Sequence, residues 1–173
     1  AGAGGATTVN VGSIQRVGRA TLLFRGANLG TAPAAGVARF LVTNPADLFG
    51  IGTTAGTTNL RILPYAVGDT SAVGVGNSLV TVDASAGVRP LDFTTEYATY
   101  DLSGADGNVR ITATPVAPLP GKTIQALVID NVGPAYAVAG DGTGVLNVAG
   151  GAMLFSGTGG ITLSGFTSLD FGA

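Results

Sequence analysis

Glycine fills 29 of the 173 positions, well over twice the usual share of about 7%, and no other property narrows the fold as much. Each glycine inside a helix costs about 1 kcal/mol relative to alanine, so such a chain does not build its core from long helices. Glycine instead suits a fold with many turns that need positive φ. The glycines follow no period of three, which sets collagen aside. Hydrophobic residues make up 46% of the chain, charged residues only 10%, and the formal net charge is −2. Disordered chains combine low hydrophobicity with high net charge, the opposite balance. The expectation is a folded, all-β chain.

Alternation with a period of two supports that expectation. In Arg19-Ala20-Thr21-Leu22-Leu23-Phe24-Arg25, residues Ala20, Leu22 and Phe24 share one face, with Arg19, Thr21 and Arg25 opposite. Val37 to Val42 places Ala38, Phe40 and Val42 inward and Arg39 outward, and Asn59-Leu60-Arg61-Ile62 and Asn108-Val109-Arg110-Ile111-Thr112 read likewise. Such alternation marks a half-buried strand. Val9-Asn10-Val11 opens the series, and Thr123 to Ile129 is apolar on both faces, the mark of a strand covered on both sides.

The last thirty residues change rhythm. Val145 to Val148, Met153 to Ser156, Ile161 to Ser164 and Leu169 to Phe171 read as very short strands ended by glycine-rich turns. Brief strands with glycine corners fit a parallel β-helix, a solenoid. A β-sandwich or jelly roll, whose strands usually run to about five or six residues, is the alternative fold. The chain is read as one β-rich domain spanning 1–173, with first coils over 1–66, an irregular excursion over 67–107 and C-terminal coils over 108–173. Within the excursion, Leu91 to Tyr100 reads as a short helix or a bulged loop that packs its aromatics outward.

Ile62-Leu63-Pro64-Tyr65-Ala66-Val67-Gly68-Asp69 is followed by Leu79-Val80-Thr81-Val82-Asp83, by Gly87-Val88-Arg89-Pro90-Leu91 and by Glu96-Tyr97-Ala98. With Gly18 to Gly30 upstream and Asn108 to Ile111 downstream, this succession resembles the autotransporter-like surface proteins that carry autotransporter-associated β-strand repeats, of planctomycete and verrucomicrobial type. The resemblance implies a right-handed parallel β-helix passenger, export from the cell and a structural or adhesive role, with no catalytic residues to carry over. The Gly-rich repeat of that group survives here only as Ile161-Thr162-Leu163-Ser164-Gly165.

His, Cys and Trp are absent. That removes histidine-based triads, cysteine nucleophiles and transition-metal sites built on imidazole or thiolate, so the chain is expected not to be an enzyme. Polysaccharide cleavage by carboxylates would fall to Asp83, Asp92, Asp101 and Arg89. No cofactor is expected. Calcium, if bound, would go to the loop holding Asp101, Asp106 and Asn108, or to Gly140-Asp141-Gly142-Thr143-Gly144, although neither carries the EF-hand pattern. Seven of the eight basic residues are Arg and none forms a basic run, which disfavours nucleic acid. The longest charge-free stretch, Gly142 to Leu169, is interrupted by Gly, Ser, Thr and Asn, so no membrane insertion of this segment is expected. The start at Ala1 reads as a processed or truncated terminus.

A solenoid exposes unpaired strand edges at its ends, and neither end of this sequence reads as a polar cap. The expected function is therefore that of an extracellular, cell-surface structural protein, bacterial in origin. It either stacks end to end into fibres or forms part of a long surface passenger. Val9, Val11, Leu163, Leu169 and Phe171 are the candidate assembly residues, and copies of the chain or adjoining coils are the expected partners. The alternative is an adhesin or glycan-binding module with Tyr65, Tyr97 and Tyr100 as stacking platforms. Arg25, Arg39, Arg61 and Arg110 recur at similar strand positions. They read as a glycan-binding stripe or, more plainly, as edge-protecting charges paired with Asp.

Overall fold

The computed structural model describes residues 5–45, 47–99 and 107–172. Among them it contains thirteen β-strands and no helix. The all-β expectation therefore holds, and of the two readings of Leu91 to Tyr100, short helix or bulged loop, the described residues show the loop, with a turn at Phe93 to Glu96. Asp92 closes that single turn: its Oδ1 accepts from Thr94 N at 2.7 Å and Thr95 N at 3.1 Å, and its main-chain O accepts from Glu96 N at 3.0 Å. The chain divides into two compact units that interleave in sequence, residues 1–49 with 61–91 and residues 50–60 with 92–173.

The first unit holds β1 (Thr7–Val11), β2 (Leu22–Arg25), β3 (Ala38–Val42), β4 (Ala66–Asp69), β5 (Ser78–Asp83) and β6 (Gly87–Pro90). β1 pairs in parallel with β3, and β2 with β4. The β4–β5 and β5–β6 pairs are antiparallel, so this unit is mixed rather than uniformly parallel. Its core is Leu63, Tyr65, Ala66, Val80 and Val88, with Phe24, Phe40 and Val42 packed against it. Phe24 and Phe40 meet edge to face at 5.0 Å, a favoured aromatic geometry. Of the inward residues expected of β3, Phe40 and Val42 thus reach the core. Asn59 to Ile62 forms only isolated bridges, not a strand, although Leu60 and Ile62 are buried and Arg61 is half-buried. The β5–β6 turn is built by side chain and backbone together. Asp83 Oδ1 accepts from Ser85 N, Ser85 Oγ and Ala86 N at 2.8–2.9 Å. Gly87 follows at φ +80°, where a Cβ would fall 2.3 Å from Phe40 O.

The second unit holds β7 (Ala98–Thr99), β8 (Asn108–Ile111), β9 (Lys122–Asn131), β10 (Tyr136–Ala139), β11 (Val145–Gly157), β12 (Ile161–Ser164) and β13 (Ser168–Phe171). Every strand pairing here is parallel: a five-stranded sheet in the order β13-β11-β9-β8-β7, and a pair β10-β12. Residues stack in register from one strand to the next, as in Lys122, Leu146 and Leu169, and in Ile124, Val148 and Phe171. Leu127, Ile129, Ile124, Val138, Leu146, Val148, Val109, Ile111 and Leu119 form the core. β9 is buried continuously from Ile124 to Asn131, as its apolar run required. Part of its cover is the 50–60 segment, because Gln125 Nε2 donates to Leu60 O at 2.7 Å. The expected short strands Val145 to Val148 and Met153 to Ser156 are one strand, β11. Ala149-Gly150-Gly151 is a bulge within it, marked by the register shift between Val148 and Ala152. Glycine there bends the strand and does not end it.

Candidate functional site

The exposed last strands of the second unit carry the clearest incomplete surface. β13 lies at one end of its sheet and β12 at the outer side of its pair, so each has one edge without a strand partner among the described residues. Burial falls off along the same columns of side chains. Val148 is fully buried, while Phe171, its register partner, is 54% exposed. Leu146 and Val138 are each 1% exposed, yet their partners Leu169 and Leu163 are only half-buried. Ile161, Leu163, Phe166 and Leu169 touch the core on one side. Three expected assembly residues, Leu163, Leu169 and Phe171, thus lie on β12 and β13, consecutive in the chain and edge strands of two sheets of one unit.

Val9 and Val11 lie on β1 of the other unit, whose one strand partner among the described residues is β3. Val9 is 43% exposed and Val11 half-buried, so this edge too pairs an open backbone with partly covered apolar side chains.

The other expected sites fare differently. Asp101, Asp106 and Tyr100 lie outside the described residues. Asn108 is fully buried, and its carboxamide is engaged at both ends: Nδ2 donates to Leu60 O at 2.9 Å, and Oδ1 accepts from Gln125 Nε2 at 2.8 Å. Asp141 closes its own turn, accepting from Thr143 N, Thr143 Oγ1 and Gly144 N at 2.9–3.2 Å, and these bonds hold its carboxyl below the ordinary aspartate value. Of the residues to which polysaccharide cleavage would fall, Asp83 and Arg89 share the β5–β6 hairpin, whereas Asp92 belongs to the other unit. The Asp83 and Asp92 carboxylates are each occupied by their own turn.

Tyr65 and Tyr97 are 6% and 7% exposed. Both pack, which leaves little of either ring exposed. Burial, then the Asp47 carboxylate, pushes the Tyr65 phenol above its ordinary value, against the opposing charge of Arg16. Of the four recurring Arg residues, Arg25, Arg39 and Arg61 belong to the first unit and Arg110 to the second. Arg25 donates to Gly74 O at 3.1 Å and Arg39 to Ser85 O at 2.5 Å, so both tie down loops. Arg110 pairs with a carboxylate, that of Asp130.

Arg110 also lies in a cleft of about 530 Å³ wholly within the second unit, between the Phe93–Thr99 segment and the 112–119 segment that follows β8. Its guanidinium carbon sits 4.0 Å from the centroid of the Phe93 ring, and Phe93 stacks on Tyr97 at 5.8 Å. Asp130 accepts from Arg110 Nη2 through one oxygen and from Ser156 Oγ, at 2.8 Å, through the other. Tyr136 donates to Ile111 O and Asp130 O at 2.9 and 3.1 Å; burial, then the Asp130 charge, raises its phenol value. Sequence reading marked the aromatics of Leu91 to Tyr100 but not this cleft, whose second wall carries no periodic signal.

No protein-family model, curated protein or solved structure matches this chain.

Proposed function

We propose that the chain is an extracellular structural module, a short β-solenoid that continues by stacking further parallel strands onto β12 and β13. The observation that carries this reading is the loss of burial down the Val148–Phe171, Leu146–Leu169 and Val138–Leu163 columns, at strands whose outer edges are open. In-register parallel pairing of strands separated by one turn of chain is the pattern of stacked coils. Sandwiches, in contrast, are built of antiparallel sheets. Fully covering a side chain the size of Leu or Phe contributes about 1.5–3 kcal/mol, and an open edge invites a strand. The layer that meets these outer strands is a neighbouring coil of a longer surface passenger or the β1 edge of a second copy. A head-to-tail contact of the second kind repeats without closing and yields a fibre. The resemblance to autotransporter-associated β-strand repeat proteins agrees with both forms and with a bacterial cell-surface location.

Electron microscopy of the purified chain over a concentration series tests the self-stacking form. Regular filaments that vanish in Phe171→Glu, with the circular dichroism spectrum unchanged, are the expected result. Dispersed monomers at every concentration would leave only the passenger form. Filaments indifferent to Phe171→Glu and Leu163→Asp would place the contact elsewhere and sink the proposal.

A further inference from the structure

We infer that the Phe93–Arg110 cleft is a binding site for a neutral oligosaccharide. This is independent of the stacking reading, because no cleft residue lies on β12 or β13. The cavity, about 530 Å³, falls in the usual range for small-ligand sites, roughly 300–1,000 Å³. Its chemistry is that of a surface able both to donate and to accept. Thr99, Thr112 and Thr114 line it, all three exposed, and a hydroxyl is donor and acceptor at once. The 112–118 wall makes no hydrogen bond among the described residues, so its main-chain groups are open to a ligand. Pro115, Pro118 and Phe93, a residue 37% exposed, add apolar surface. A sugar ring asks for this combination: C–H faces against apolar rings, and hydroxyls against groups of either polarity.

The charge pattern selects a neutral sugar over an acidic one. Asp130 is paired to Arg110 and cancels its charge, so an anion gains little there. The pair, the cation–π contact with Phe93 and the Ser156 bond fix the guanidinium in place. Nη2 faces Asp130, Nε is sealed from water, and Nη1 has no partner among the described residues. A preorganised donor of this kind loses little freedom on meeting a hydroxyl or ring oxygen.

The test is an NMR titration of the ¹⁵N-labelled chain with cellohexaose, xylohexaose and mannohexaose at millimolar concentration. Trigalacturonic acid serves as the anionic probe and a neutral apolar octapeptide as the peptide probe. At least one neutral hexasaccharide is expected to shift amides of 97–99 and 110–119. Phe93→Ala and the exposed-loop variant Thr112→Val/Thr114→Val should each weaken that binding at least tenfold with the amide spectrum otherwise retained. No shift with any of the three sugars, shifts confined to other residues, or a response only to the anion or the peptide would overturn the assignment.

Discussion

Gln125 Nε2 lies 2.8 Å from Asn108 Oδ1, and Gly50 presses so close to the same carboxamide that a Cβ on it would fall 2.3 Å from Oε1. Together with the two bonds to Leu60 O, this makes a buried polar knot in the second unit. Its members are satisfied by one another, so removing one strands the rest.

Gln125→Ala leaves Leu60 O and Asn108 Oδ1 each short of a buried donor. The expected cost is about 2–3 kcal/mol, read as a lowered midpoint in urea unfolding. Gly50→Ala should cost at least as much, since φ at this residue is +117° and the carboxamide occupies the space a methyl would need. A neutral outcome for both would mean that the knot adds nothing to stability.

Leu127 and Leu163 make a second pair of measurements. Leu127 is fully buried and Leu163 lies half-covered on an outer strand. In dilute solution Leu127→Ala is expected to destabilise by about 2–5 kcal/mol, and Leu163→Ala by less than half of that. Equal losses in a denaturant titration would show that the outer strand is as well covered as the core.

Tyr65 and Tyr136 should ionise above the ordinary value of 10.0, and a spectrophotometric titration of the tyrosines measures it directly. A raised folded-state value favours the neutral phenol. The stability this contributes is therefore complete below pH 10 and is lost as pH rises through the folded-state value. Tyr136→Phe should remove the Tyr136 share of this alkaline sensitivity, together with the bonds to Ile111 O and Asp130 O.

At the acid end, the turn N–H groups and Ser85 hold Asp83 below its ordinary 3.8, and the Thr94 bonds do the same for Asp92. A depressed folded-state value means stability that is present above pH 3.8 and lost as pH falls through the lowered values. The melting temperature is expected to be flat down to about pH 4 and to fall below it, less steeply in Asp83→Asn. A slope in Asp83→Asn identical to that of the parent chain would remove Asp83 from the account.

Much of the architecture was legible because it is local. Alternation marked the inward Val109 and Ile111 of β8, and Ala126 to Ile129 is an unbroken apolar run that reads as a covered strand, although Asn108, on the outward face of the alternation, is buried as well. What escaped is set by distant partners. Ala149-Gly150-Gly151 has the composition of a turn, and only β9 alongside, paired on both sides of it, makes it a bulge. The antiparallel β5–β6 hairpin falls within 67–107, which reads in sequence as an irregular excursion, because the pairing of its two short strands is set by a turn that leaves no period in the residues. Tyr65 and Tyr97 resemble ligand platforms in a chain with few aromatics, since burial is not written in residue type. Arg110 finds its carboxylate at Asp130, twenty residues onward, a partnership that exists only once β8 lies beside β9 in register.

The register shift in β11 has a wider meaning. Between aligned positions β9 uses a single residue, Gln125, where β11 uses Ala149, Gly150 and Gly151, and pairing resumes unharmed at Ala152. One layer of this molecule therefore has a longer contour than the layer beneath it at no loss of alignment. A lineage of such chains can drift in length layer by layer, through small insertions at corners like this one, while its stacked columns stay in step.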